Sequence, residues 1–469
     1  MFSTSRTVTS VIVSSILAYV FLFTEFFSEY SLLPHYTPKN HIFPVSANLT
    51  ENKEAVLFLA SLDHTTLPSN VSIAEVPKVE LPVESTDLSK LCGETEWTEG
   101  LWLHCHSGCG VNGTSICGGL NNARNRVQTC IRLAIDAGAG VIIPSATTRN
   151  EEALVDTNAK TVCPSFFWDM KHLKSEVGKQ CPQLKVRVCD DRSGISKIVT
   201  PPKRTYLEAP HSKDTFRGLV KNSFEKSNYT LSSVTASSPA LIEFSDTYIG
   251  WDYKKSSELS TIRKSLFKAL QFNKDLLHLS TEVLKSPQLN NGAFIGIHLR
   301  AENDWPAGFG TAEDQMRLYV AEIERIQTTV SYVVDTIYVS SGDIDGIQRF
   351  RDMLEPLGYI VHDKWTLLAN EPETLAYLEA LPFDQKGIVE YNVLVDARFW
   401  IGIITSSMSS LIAYARTVDE REDYFETSIF PDSSREGLNR GYTDNISIKG
   451  NQYTKLMVVN GVDIMDSFP

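Results

Sequence analysis

The sequence contains no long run of lysine or arginine, and its formal net charge is -13. A nucleic-acid partner needs a basic footprint to neutralise phosphates, so that class is excluded. The acidic excess favours solubility and carries no chemistry of its own. Cysteine is missing from the last 280 residues: all eight (Cys92, Cys105, Cys109, Cys117, Cys130, Cys163, Cys181, Cys189) lie between positions 92 and 189. An even, clustered set of this kind reads as disulfides within one domain, with 105 connectivities open. The apolar run near the N-terminus, Val8 to Phe23, is short. Its sixteen residues fall below the roughly 20 that cross a hydrocarbon core, so a cleaved signal peptide competes with a single-pass anchor. Extension to Phe27 supplies the length, and no small-residue cleavage site follows in Phe27-Ser28-Glu29-Tyr30. The expectation is therefore a signal anchor in the Golgi or endoplasmic reticulum membrane, with the bulk of the chain lumenal. Five Asn-x-Ser/Thr sequons, at Asn48, Asn70, Asn112, Asn228 and Asn445, agree with that placement.

The chain has ample apolar material. With 469 residues and 42% hydrophobic content it can bury two cores, since single cores stop growing at about 250 to 300 residues. The expected organisation is a cytoplasmic tail and anchor over 1–30, a proline-interrupted stem over 31–90, a disulfide-rich domain over 91–290 and a second domain over 291–469. Within the folded part, which starts near Leu91, the patterns predict helices over Val127 to Ala137, Leu259 to Leu284, Thr311 to Thr328, Gly342 to Leu357, Thr374 to Leu381, Gly387 to Ala397 and Ser410 to Arg416. Strands are predicted at Val141 to Pro144, Lys185 to Val188, Phe294 to Ile297, Thr336 to Val339, Tyr359 to Val361 and Phe399 to Ile404. The repeating unit is βα, which predicts two doubly wound α/β domains with a ligand at the carboxyl ends of the strands. Nothing is predicted beyond Asp419.

Three segments carry candidate chemistry. Gly119-Leu120-Asn121-Asn122 precedes a predicted helix, where glycine and free amides admit an anion. His298-Leu299-Arg300-Ala301-Glu302-Asn303-Asp304-Trp305 follows a buried strand, and an arginine there can grip a diphosphate bidentately. Asp396 through Ser410 runs from a strand into the hydroxyl residues Ser406, Ser407 and Ser409 ahead of a helix. Each has an ordinary alternative: a turn and cap, a surface ion pair with a hydrogen-bonded structural histidine, and a serine-rich helix cap.

Together and in this order, the three segments resemble the protein O-fucosyltransferase superfamily over roughly residues 95 to 416, and Phe167-Trp168-Asp169-Met170-Lys171-His172 resembles a further family segment. The resemblance implies a GT-B architecture, two facing Rossmann-like domains with GDP-fucose held mainly by the second. It implies inverting transfer to a protein or glycan acceptor, with no metal and no cofactor beyond the donor substrate; the alternatives are a GT-B glycosyltransferase using another nucleotide sugar and a catalytically silent glycan-binding or chaperone protein of the same fold. Arg300 would be catalytic through the β-phosphate. His298, Asp304 and Asp396 would help to hold the nucleotide, while Ser406, Ser407, Met408 and Ser409 would meet phosphate and sugar. Gly119, Leu120, Asn121 and Asn122 would reach across from the first domain. Gly118 stands where one branch of the family has a glutamate base, so the proton acceptor is not assigned; Glu302 and Asp304 are nearby carboxylates. Met408 stands where an aromatic residue often follows the paired serines.

Three further signals are set aside. Gly108-Cys109-Gly110-Val111-Asn112-Gly113 spells a dinucleotide fingerprint but follows no clean strand. Cys105, His106 and Cys109 could suit zinc, although disulfides explain the cysteines better in a lumenal chain. Asp343-Ile344-Asp345 has the form of a divalent-cation motif, with helix capping by Asp343 the preferred reading.

Overall fold

The computed structural model describes residues 87–105, 119–149, 154, 161–202, 213–244, 258–304, 311–403, 406–419 and 425–430. All belong to one compact unit, Glu84–Pro469. The N-terminal apolar run, the stem as far as residue 86, the Gly108 to Gly113 segment, and the sequons Asn48, Asn70, Asn112 and Asn445 lie outside the described residues. Among the described residues no helix is long and apolar enough to cross a membrane.

The first lobe runs α1 (Asp87–Glu94), β1 (Leu101–Cys105), α2 (Leu120–Ala137), β2 (Gly140–Ile142), the antiparallel pair β3 (Ala146–Thr147) and β4 (Thr161–Val162), α3 (Met170–Gln180), β5 (Val186–Arg187), β6 (Lys197–Val199), α4 (Lys213–Lys226), β7 (Ala240–Phe244), α5 (Glu258–Ala269) and α6 (Lys274–Leu284). Strands β5-β2-β1-β7-β6 form one parallel sheet in that order. Helix α2 starts at Leu120, well before the predicted Val127; Asn121, Arg124, Asn125 and Arg126 are polar yet buried and so hide the apolar periodicity of its first turns. It ends at Gly138, whose φ of 67° is open to glycine at little cost and whose amide reaches the carbonyls of Ala134 and Ile135. The single helix predicted over Leu259 to Leu284 is two. The break comes where the Asn273 side chain caps α6 by accepting from the Asp275 amide at 3.0 Å.

Disulfides join Cys92 to Cys181, Cys105 to Cys130 and Cys163 to Cys189. Cys109 and Cys117 lie outside the described residues. Cys105 is thereby committed to Cys130 and is no zinc ligand. The Phe167 to His172 segment is structural: Phe167 and Trp168 are buried, and Asp169 caps α3 by accepting from the amides of Lys171 and His172. Asn228, the one described sequon, sits on an exposed left-handed turn after α4.

The second lobe runs β8 (Ile295–His298), α7 (Ala312–Thr329), β9 (Thr336–Ser340), α8 (Ile344–Leu354), β10 (Ile360–His362), α9 (Lys364–Leu367), α10 (Pro372–Ala380), α11 (Phe383–Asp396), β11 (Phe399–Ile403), α12 (Ser407–Asp419) and β12 (Glu426–Phe430). Its sheet, β10-β9-β8-β11-β12, is again parallel throughout. The chain winds outward from β8 in both directions, so the winding sense reverses beside β8 and leaves a crevice at the carboxyl ends of β8 and β11. The last strand was not legible because Thr427 and Ser428 are polar. Both are buried, each with a side-chain partner: Arg416 Nε donates to Thr427 Oγ1 at 2.8 Å, and Ser428 Oγ bonds Glu322.

The lobes share apolar packing. One core extends from the first sheet through α6 into α11 and α12, while the face of the second sheet against α7 and α8 has a core of its own. Arg124 of α2 is buried at this junction. Its guanidinium lies 3.9 Å from the centroid of Phe267, donates to the carbonyls of Phe267 and Leu270, and reaches Tyr391 Oη of α11 at 3.3 Å.

Candidate functional site

A cavity of about 300 Å³ opens at the carboxyl ends of the second sheet, with the first lobe supplying one wall. Strand β8 delivers His298 and Arg300, β9 delivers Ser340, Ser341 and Gly342, and β10 leads into Lys364 and Trp365. Ser406 and the first residues of α12, Ser407 and Met408, add to the second lobe's share. From the first lobe come Gly119 to Asn122 and Arg149. Helices α2, α11 and α12 all begin at this cavity, with Leu120, Phe383 and Ser407 as their first residues and cavity liners. Three helix N-termini turn positive dipole ends and unfilled amides toward one space, which favours an anion there. Among the described residues no side chain caps α2 at Gly119, and the buried Asn121 Oδ1 has no hydrogen-bond partner.

The charged groups form a chain across the cavity. Arg300 pairs with both Glu302 and Asp304, and the other oxygen of Asp304 pairs with Arg149 from the first lobe. Burial alone would lower the Arg300 pKa, but Glu302 and Asp304 outweigh it and raise it, so the guanidinium stays charged. Against their own burial, Arg300 holds both carboxylates below the ordinary range, assisted by the Gly342 amide on Glu302 at 2.7 Å and by Arg149 on Asp304. Gly342 fits because an added Cβ would lie 3.0 Å from Glu302 Oε1 and from the Phe383 ring. Deeper in, Lys364 Nζ donates to Glu390 Oε1 at 3.0 Å and to the Ser341 carbonyl at 3.2 Å.

His298 is buried, and desolvation pushes its pKa down to about 4, so the ring is neutral at pH 7. Its Nδ1 lies 2.7 Å from Ser409 Oγ, an atom that also accepts from the Ile403 amide. The structural role and the cavity position thus coexist in one residue.

Of the residues expected from sequence, Gly119, Leu120, Asn121, Asn122, His298, Arg300, Asp304, Ser406, Ser407 and Met408 are gathered at the cavity. Two are not. Ser409 is fully buried behind the wall and holds His298. Asp396 closes α11 just ahead of the amino end of β11, so about a strand length, roughly 3.3 Å per residue, separates it from the cavity at the carboxyl end. Glu302 and Asp304, the two carboxylates considered as bases, are both consumed by arginine. Asp343 occupies the N-cap position of α8 as expected but makes no side-chain cap bond and faces Arg349 at 3.6 Å. Among the described residues no group of three or more His, Cys, Asp or Glu is placed to hold a metal ion.

The sequence reading missed Arg149, Ser340, Ser341, Lys364, Trp365, Phe383, Asp384, Lys386 and Glu390. The strand-end rule that found Arg300 applies equally to Ser340-Ser341 after β9. Arg149 had no local signal, since it stands just after the short strand β3 rather than at the end of a predicted strand.

A model of the family described as GDP-fucose protein O-fucosyltransferase matches residues 114–419, which contain every cavity residue. The chain belongs to that family. Among solved structures, POFUT1 in complex with GDP is similar at 12% identity, covering 69% of this chain and 95% of its own, with a TM-score of 0.42. NodZ alpha-1,6-fucosyltransferase co-crystallised with GDP is similar at 13% identity, covering 68% of this chain and 92% of its own, with a TM-score of 0.38. Likenesses this distant assign no role to individual residues. No curated protein matches the chain.

Proposed function

We propose that this member of the family transfers fucose from GDP-fucose to a hydroxyl group of a protein or glycan, with inversion at the anomeric carbon and without a metal. The observation that carries the reading is the position of Arg300, fixed between Glu302 and Asp304 in a cavity onto which three helix N-termini open. The four side chains Arg149, Asp304, Arg300 and Glu302 sum to no net charge, so the helix ends supply the positive potential that a diphosphate requires. Arg300 then meets the negative charge that grows on the bridging oxygen as the bond from C1 to that oxygen breaks. The acceptor oxygen bonds C1 from the opposite face, which inverts it. Loss of such preorganised stabilisation costs about 3 to 4 kcal/mol, or two to three decades in rate. Ser406, Ser407 and Asn121 would bond phosphate or sugar oxygens, and neutral His298 would present its second nitrogen to the nucleotide.

Thermal unfolding of the purified lumenal part with GDP, UDP or ADP, each with and without EDTA, tests this. GDP should stabilise most, and equally with EDTA present. Stabilisation by no nucleotide would sink the enzymatic reading, preference for UDP would change the donor, and loss of the effect with EDTA would refute the metal-free reaction. We extend the proposal to a lumenal catalytic part held at the Golgi or endoplasmic reticulum membrane by the N-terminal apolar run. The support is three disulfides and the exposed sequon at Asn228. A glycan at Asn228, removable by a glycosidase, is the expected result, and an unglycosylated protein with free thiols would refute it.

A further inference from the structure

The proton of the acceptor hydroxyl has no assigned destination. Four carboxylates line the cavity: Glu302, Asp304, Asp384 and Glu390. Glu302 is paired with Arg300, and Asp304 spends one oxygen on Arg300 and the other on Arg149. Glu390 is paired with Lys364 at 3.0 Å. Asp384 differs from all three. Among the described residues it forms no ion pair, and one oxygen, Oδ2, accepts from the Arg149 backbone amide at 2.6 Å. That bond fixes the carboxylate from the first turn of α11 while leaving Oδ1 uncommitted.

We propose that Asp384 is the general base of this cavity: it takes the proton of the acceptor hydroxyl as that oxygen bonds C1 of the donor sugar, while the bond from C1 to the diphosphate breaks and GDP departs with the electron pair. The inference rests on the donor reading given above. A carboxylate already neutralised by arginine or lysine is a poor proton acceptor, because its partner favours the ionised form. Burial has the opposite effect on Asp384, raising it to about 6 despite the Arg149 amide and charge. A base of that strength is ionised at pH 7 and still takes a proton readily. The titratable and charged groups that share the cavity with it are Arg149 after β3, His298, Arg300, Glu302 and Asp304 at and after the end of β8, and Lys364 after β10, with Lys386 and Glu390 on its own helix.

Water can stand in for the unidentified acceptor, so hydrolysis of GDP-fucose by the full chain is the assay, with GDP binding measured separately by calorimetry. Asp384→Asn should bind GDP within about twofold of the wild type and hydrolyse GDP-fucose about 10²- to 10⁴-fold more slowly. Wild-type hydrolysis should rise with pH through about 6, and that rise should vanish in Asp384→Asn and persist, at a lower rate, in Asp384→Glu. An Asp384→Asn protein that binds GDP and hydrolyses at the wild-type rate overturns the inference alone. So does a wild-type profile that is flat, or without hydrolysis, across about pH 5 to 8. A wild-type protein that does not bind GDP overturns the donor reading and this inference with it. Should Asp384→Asn fail to fold, the wild-type profile and Asp384→Glu decide.

Discussion

Arg149 of the first lobe forms an ion pair with Asp304 of the second, across 155 positions of sequence. Asp304 thus carries two arginines, one from each lobe, and couples Arg300, the proposed diphosphate anchor, to the opposite wall. Both ends of the Arg149–Asp304 pair are largely buried, at 12% and 8% exposure, so solvent screens it little.

A double-mutant cycle measures that coupling. Arg149→Ala and Asp304→Ala should each weaken GDP binding, and the double variant should lose less than the sum, with a coupling of about 0.5 to 3 kcal/mol. Calorimetric titration of GDP into the four proteins is the check. Strict additivity would mean that the two walls act independently.

Ser409→Ala should remove the partner of His298 Nδ1 and one acceptor of the Ile403 amide. Leaving buried polar groups unpaired costs about 1 to 3 kcal/mol. Urea denaturation should show that loss, and GDP affinity should fall with it, because His298 is no longer held against the strand end. Unchanged stability together with lost GDP affinity would instead place Ser409 in contact with the ligand.

Two of the shifted groups make opposing contributions to stability against pH. The folded pKa of His298 is about 4 against an ordinary 6.5, so between those values the unfolded chain binds more protons and stability rises with pH. Asp384 is at about 6 against an ordinary 3.8, so in its window the folded chain binds more protons and stability falls as pH rises through about 6. Each is worth about 3 kcal/mol, so they largely offset between about pH 4 and 6 in the wild type. Asp384→Asn should expose the histidine contribution as a steady gain in urea midpoint from pH 4 to about 6.5. A variant whose pH profile matches that of the wild type would refute the assignment.

The Cys92–Cys181 disulfide closes a loop with a sequence separation of 89 and ties α1 to the end of α3. Replacing both cysteines by serine should cost about 4 kcal/mol, mainly by freeing the unfolded chain. The thermal midpoint of the variant should match neither the wild type nor a fully reduced sample, which loses the other bridges as well.

Composition and local pattern determined the architecture. Short, continuous apolar runs such as Ile295 to Ile297 and Phe399 to Ile403 suit a parallel sheet covered on both faces, and the βα alternation fixed where each strand end emerges. That is why His298, Arg300 and Ser406 to Met408 could be read directly: each lies at or shortly after the carboxyl end of a strand. Tertiary structure decided the rest. Asp396 and Ser409 lie in the same stretch as true cavity residues, yet one belongs to the wrong end of its strand and the other points behind the wall. Strand β12 stayed hidden because Thr427 and Ser428 are satisfied by Arg416 and Glu322 rather than by water. Arg149 and Asp384 are far apart in sequence and carry no local signature. Their roles arise because the lobes pack through α6, α11 and α12, and a charge acquires its chemistry from the partners that such packing brings, or fails to bring, within reach.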